Sequence, residues 1–224
     1  MIFKIASVDS LIIYFGSEIN QDISTKVKKA YLSLKQLNLE GIIEIIPSYS
    51  SIFISYDIFK YDYYSLKNKL ENSINLDFQT DISDDILTID TYYGVDVGLD
   101  LEDMSLKTKL SIEDIIDLHS NKLYDVYAIG FLPGFAYLAS VDEKIAVPRL
   151  ATPRKIIPKG SVSIANTQTA VYPQNSPGGW NIVGRTAMEL FDKNLESLSP
   201  FFVGQKIKFN PISKEEFLNQ GGVL

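Results

Sequence analysis

Helical periodicity stops at residue 123, and no other feature restricts the fold of this chain as strongly. Beyond that point short apolar runs follow one another at 125–129, 161–165, 170–172, 181–183, 189–191 and 206–209, separated by Gly and Pro turns. Many short runs with turn signals between them argue for a closed or sandwich-like β domain. Only 213–218 is predicted to turn helical again.

The first ninety residues read differently. Residues 11–15 are a β-rich apolar run ended by Gly16. Residues 22–37 are predicted as a helix, because Ile23, Val27, Ala30, Tyr31, Leu34 and Leu37 recur at helical spacing. Asn20 or Asp22 can cap its start. Strands are expected at 42–47 and 52–56 with a hairpin turn at 49–51, then a weaker helix at 63–74 and a strand at 86–93. The order β-α-β-β-α-β is the split, ferredoxin-like arrangement. The expected organisation is therefore an α+β ferredoxin-like domain over 1–94, then a mainly-β domain over 95–224 that carries the ligand pocket. Residues 94–98 read as a hinge-like connection, and a short helix is expected at 99–104. Ser111 and Asp114 form a capping box ahead of a helix whose apolar face is Ile112, Ile115, Ile116 and His119.

The absence of Cys removes disulfides, zinc–cysteine clusters and cysteine catalysis, and fits a reducing cytoplasm. With one His besides, a metal cage built by this chain is not expected. The N-terminus is short and interrupted by charge, which does not read as a signal peptide. No apolar run approaches the ~18–20 residues of a membrane-spanning helix. A net charge of −7 argues against binding a nucleic-acid backbone. That charge is uneven: residues 119–185 hold seven Lys/Arg against three acids. Such an island suits a small anionic ligand or an acidic patch on a partner, and equally an ordinary surface.

The rare residues gather in the same stretch. His119 is either a packed core histidine or a proton shuttle at a pocket rim. The chain uses 18 Lys but only three Arg, at 149, 154 and 185, a choice that suits planar bidentate work on a carboxylate or phosphate, or structural ion pairing. The turn Gly130-Phe131-Leu132-Pro133-Gly134-Phe135 offers two aromatic walls and two flexible corners, or else a barrel corner. Ser176-Pro177-Gly178-Gly179-Trp180 is a Gly-rich turn whose amides can cradle an anion. It is not a Walker loop, and no Rossmann fingerprint or nucleophile elbow is present.

Taken in order, His119-Ser120, the run 124–138, Pro148-Arg149, Thr152-Pro153-Arg154, Pro158-Lys159-Gly160, Gln168 to Pro173 and Ser176 to Trp180 with Gly184-Arg185-Thr186 resemble the KipI / allophanate hydrolase subunit 1 family. The resemblance is dense over about residues 90–210. It departs from the family pattern at Val95 and Leu99, where members more often carry Gly and Pro, and at Asn166-Thr167, which replaces a Gly-containing pair. The family's fold implies a small α/β domain followed by a cyclophilin-like β-barrel. Its functions imply three roles. One is a subunit of an ATP-dependent 5-oxoprolinase, which opens 5-oxo-L-proline to L-glutamate. Another is an inhibitor of a sensor histidine kinase. The third is one half of a urea carboxylase-type carboxyltransferase module. The first is the expected one, and its expected partners are a KipA-like C subunit together with a LamB/YcsF-like A subunit. ATP with Mg is expected to bind in the assembled complex. By the same resemblance Arg149, Arg154 and Arg185 are the expected anion clamp, supported by Lys159, and His119 is the proton shuttle or carbonyl donor. Phe131, Phe135 and Trp180 wall the substrate ring, and Gly178 and Gly179 supply amides. Pro133, Gly134, Gln168, Tyr172 and Pro177 complete the expected binding site.

Overall fold

The first strand lies in a stretch that the sequence pattern leaves unassigned. β1 (Ile2–Ser7) forms an antiparallel hairpin with β2 (Ser10–Tyr14). The computed structural model describes residues 1–18, 20–77 and 86–224. It divides into two compact units, Met1–Ser83 and Asp84–Leu224.

The first unit continues with α1 (Gln21–Leu37), β3 (Ile42–Pro47), β4 (Ser51–Tyr56) and α2 (Tyr63–Ser73). Asn20 caps α1 by accepting the amide of Ile23 at 3.0 Å. The turn at 48–51 joins β3 and β4, with Ser48 N–H donating to Ser51 O at 2.8 Å. The sheet order is β1-β2-β4-β3. Strand alternation turns Leu11, Ile13, Ile52 and Ile54 to one face, where they meet Val27, Ala30 and Leu34 of α1 and Leu66 and Leu70 of α2.

The predicted closing strand of this domain is not in its sheet. It is β5 (Ile86–Thr91), which runs parallel to β13 (Lys206–Pro211) in the second unit. The edge beside β2, which a returning last strand takes in the split arrangement, is held by β1 instead. Apolar alternation marks 86–91 as a strand but not its sheet. Ile89 belongs to the cluster that contains Ile207 and Phe209. The boundary between units accordingly falls before β5 and not at residue 94. Residues 94–98 are not a hinge between units but a turn inside the second one, with Val97 N–H and Gly98 N–H both donating to Gly94 O.

The second unit adds α3 (Leu101–Thr108), α4 (Ile112–Ser120), β6 (Leu123–Ile129) and β7 (Ala136–Ala139). The strands β8 (Arg154–Ile157), β9 (Ser161–Ala165), β10 (Gln168–Val171), β11 (Ser176–Gly178) and β12 (Asn181–Arg185) follow, and α5 (Lys214–Asn219) ends it. Seven strands form one sheet in the order β12-β9-β10-β7-β6-β13-β5. Its two edges meet at an antiparallel bridge between Tyr92 and Arg185, each N–H donating to the other's carbonyl at 2.8 Å. The sheet is thus nearly closed and fits a cyclophilin-like barrel. β8 and β11 pair as a separate two-stranded arm. Residues 189–191, expected as a strand, are irregular: Leu190 is a core residue whose carbonyl lies against the Cα of Gly134. Among the described residues, no helix is long and apolar enough to cross a membrane.

Candidate functional site

β6 and β7 are joined by the turn 130–135, closed by Gly130 N–H donating to Phe135 O and Phe135 N–H to Leu132 O. Gly134 sits at φ +78, and a Cβ there would meet Leu190 O at 2.3 Å, so glycine is required. Phe131 also has a positive φ of 74, which a bulky side chain rarely adopts. The turn therefore holds the Phe131 ring 61% exposed at the mouth of a cleft.

Phe135 is the hub of that cleft. Its buried ring stands edge-on to Phe131 at 5.3 Å, Tyr137 at 4.9 Å, Tyr172 at 5.3 Å and Trp180 at 5.9 Å between centroids. Such edge-to-face pairs are the favoured geometry of aromatic quadrupoles. The sequence brings them together simply: Tyr137 follows Phe135 by two residues on a strand, and so shares its face. Pro153, Pro177, Gly178 and Gly179 complete the lining of a cavity of about 260 Å³. Gly178 has no space for a Cβ, which would lie 2.4 Å from Tyr172 Oη and 2.7 Å from Ile157 Cδ1. Burial raises the Tyr137 hydroxyl pKa and pushes that of Tyr172 up to about 12, so both remain protonated donors near neutral pH.

Arg149 is the charge of the cleft. Its guanidinium lies over the Trp180 ring, 5.7 Å from the centroid. Residues 144–188 hold six Lys/Arg and no Asp or Glu, so the local chain offers Arg149 no carboxylate.

The other two arginines do not join it. Arg154 makes a bidentate pair with Asp100, Nη1 to Oδ2 at 2.9 Å and Nη2 to Oδ1 at 2.7 Å. The same Oδ2 accepts Ile182 N–H at 2.7 Å, so this carboxylate fastens the segment before α3 to β8 and β12. Arg185 is buried at the barrel seam, where Nη1 donates to Val223 O at 2.8 Å and burial lowers its pKa. The expected three-arginine clamp is therefore not formed. Lys159 pairs at the surface with Glu189 at 2.6 Å, and Gln168 lies in β10 opposite Ala139 and Ala165, outside the cleft lining. Pro133 is exposed on the turn and outside the lining.

His119 is a core residue and not a rim residue. It is fully buried, with Nδ1 hydrogen-bonded to Tyr93 Oη and Nε2 to Thr169 Oγ1, both at 2.8 Å. The rings of Phe209, Tyr124 and Tyr93 surround it. Desolvation drives its pKa down to about 3, which keeps the imidazole neutral. Among the described residues, no group of three or more His, Asp or Glu side chains is placed to hold a metal ion.

The cleft thus gathers Phe131, Phe135, Tyr172, Pro177, Gly178, Gly179, Trp180 and Arg149 from the expected set, and adds Tyr137 and Pro153. Tyr137 had a signal, the two-residue step from Phe135. Pro153 had none beyond its place beside Arg154. A cleft with aromatic walls, two phenol donors and one cation at the mouth suits a small ring bearing one anionic group.

Residues 1–201 match the family model for the carboxyltransferase domain, subdomain C and D. The chain is 34% identical over 224 residues to the 5-oxoprolinase B subunit of Bacillus subtilis, covering 93% of this chain and 91% of that protein. It is 37% identical over 176 residues to the 5-oxoprolinase B subunit of Haemophilus influenzae, covering 78% of this chain and 82% of the relative. The crystal structure of TTHA0988 superposes with a TM-score of 0.82 at 27% identity. The match covers 92% of this chain and 40% of that longer one.

Proposed function

The chain belongs to the carboxyltransferase domain family, subdomain C and D, and we propose that it serves as the B-type subunit of an ATP-dependent 5-oxoprolinase complex. Its partners in this reading are a KipA-like C subunit together with a LamB/YcsF-like A subunit. The complex hydrolyses 5-oxo-L-proline to L-glutamate: water adds across the ring amide, the C–N bond breaks, and the nitrogen leaves as the amine.

The observation that carries this reading is the aromatic cleft with Arg149 over Trp180. 5-Oxoproline is a small, nearly flat lactam with one carboxylate, and the cleft offers complementary chemistry. Phe131, Phe135 and Trp180 pack against the ring, while Arg149 pairs with the carboxylate. Tyr137 and Tyr172, held protonated by burial, are donors for the lactam oxygen. ATP is a different matter. A triphosphate needs several converging cations, and here Arg154 and Arg185 are committed elsewhere. The nucleotide and its Mg²⁺ are therefore assigned to the assembled complex and not to this cleft.

The test is co-expression with the A-type and C-type partners and an assay of 5-oxoproline-dependent ATP hydrolysis. Arg149→Ala should raise KM for 5-oxoproline by roughly tenfold or more, as expected for losing a charged hydrogen bond. A fully active Arg149→Ala complex would sink the assignment.

A further inference from the structure

Arg149 lies in a connection without a ladder of its own, between the 3-10 turn Glu143–Ile145 and β8. Three hydrogen bonds to its neighbours fix that connection. Asn166 N–H donates to Val147 O at 2.7 Å, and Leu150 N–H to Gly179 O at 2.7 Å. Asn181 Nδ2 donates to Pro148 O at 2.9 Å. The first two are backbone to backbone and persist through most substitutions. The third depends on one side chain. Pro148 has no N–H, so its carbonyl is the only backbone handle it offers.

From this arrangement we infer that Asn181 is the positioning residue for Arg149. Its amide ties Pro148 to the barrel and so sets the guanidinium over Trp180 at the mouth of the cleft. Asn181 is fully buried in β12, next to the apolar pair Ile182 and Val183. Its Nδ2 also donates to Ile164 O on β9, at 3.1 Å, so both amide protons bridge a barrel strand to the Arg149 connection. Two carbonyl oxygens flank the nitrogen, which fixes the orientation of the amide: reversed, Oδ1 would face both. Among the described residues Oδ1 itself has no partner. An aliphatic side chain in this position would avoid that desolvation penalty but would leave Pro148 untethered. The unfilled acceptor is a cost of the tether. Small displacements of a binding group are strongly amplified in a site of this size.

The inference rests on reading the cleft as a ring-and-carboxylate site, but its test does not need that reading. Trp180 is the single tryptophan of the chain, so its emission reports the cleft directly. A guanidinium beside the indole concentrates iodide there and leaves neutral acrylamide unaffected. The iodide-to-acrylamide quenching ratio of the full chain should fall roughly twofold in Arg149→Ala. Asn181→Ala should reproduce that fall, and the double variant should fall no further, because two changes acting through one group are not additive. In the reconstituted complex Asn181→Ala should raise KM for 5-oxo-L-proline roughly tenfold with kcat nearly unchanged. Should Asn181→Ala fail to fold, Asn181→Ser is read in the same way. A wild-type quenching ratio in the folded variant, or an additive fall in the double variant, overturns the positioning role. If no variant responds to 5-oxo-L-proline while the quenching pattern holds, the substrate reading fails and the positioning role stands.

Discussion

Asp100 is almost fully buried, and Arg154 gives it two parallel hydrogen bonds. Removing the arginine strands a carboxylate that keeps only the Ile182 amide. Arg154→Ala should therefore cost about 3–5 kcal/mol in urea unfolding. Arg149→Ala, at an exposed residue, should stay within about 0.5 kcal/mol. Equal losses in the two variants would contradict the separation of a structural from a ligand-binding arginine. It follows that lost activity in Arg154→Ala says nothing about substrate until folding has been measured. His119 carries a different prediction. Its folded pKa lies near 3 against 6.5 for the free group. Between those values the unfolded chain binds a proton that the native one does not. Stability is therefore fully present above pH 6.5 and declines as the pH falls towards 3, by roughly 2–3 kcal/mol at pH 4.5. His119→Gln should be less stable at pH 7 yet lose less between pH 7 and 4.5. Urea titrations at both pH values decide this, and a parallel acid limb in the variant would show that the imidazole is not responsible. The sequence left His119 open between these roles because three- and four-residue spacing places it on the apolar face of α4 without saying what covers that face.

The turns that join strands build the cleft, and their glycines are not interchangeable. Gly178 is pressed against Tyr172 Oη and Ile157, whereas a Cβ on Gly179 would meet nothing closer than 3.6 Å. Gly178→Ala should deform the cleft and shift Trp180 emission, while Gly179→Ala should leave it near wild type. Identical spectra from the two variants would refute the packing argument. Both residues look equivalent in the sequence, where Pro177-Gly178-Gly179-Trp180 reads as one flexible turn. Asn166 shows a neighbouring case. It adopts φ 51 in the left-handed region, which asparagine tolerates better than most residues. That conformation turns the chain between β9 and β10, which pair as a hairpin from Ala165–Gln168 onward. Among the elements, α1, α2, β3, β4 and the capping box of α4 could be read in advance, because each is set by local periodicity or by a cap. β1, β7, β8 and β11 could not. β7, β8 and β11 are short, at four, four and three residues, and β1, with six, has no buried residue, so their apolar pattern is thin.

Each unit has its own core: one cluster runs from Leu11 to Leu70, and the others from Ile89 to Phe209. A fragment covering residues 86–224 should therefore fold by itself, with cooperative unfolding and the Trp180 emission of the full chain. A fragment that stays unfolded would mean that the first unit supplies part of the second core. The sequence anticipated the α/β half and the β half but misplaced the seam, since β5 pairs with β13, which follows it by over a hundred residues. Long-range pairing of that kind leaves no local trace. The converging aromatics were legible because motif residues at 131, 135 and 180 are all walls. The separation of three arginines into three environments was not, because it depends on Asp100 and Val223, which no spacing rule connects to them. The β5–β13 pairing also has a mechanical side. The two strands run parallel over six residue pairs, from Ile86–Lys206 to Thr91–Pro211. Tension applied at the outer ends of this unit would first strip α5 and then load the whole ladder in shear, with its hydrogen bonds sharing the force at once instead of parting one by one. In a single-molecule pull the second unit should accordingly yield late and abruptly. A gradual, low-force extension would mean that the barrel opens first at the Tyr92–Arg185 bridge.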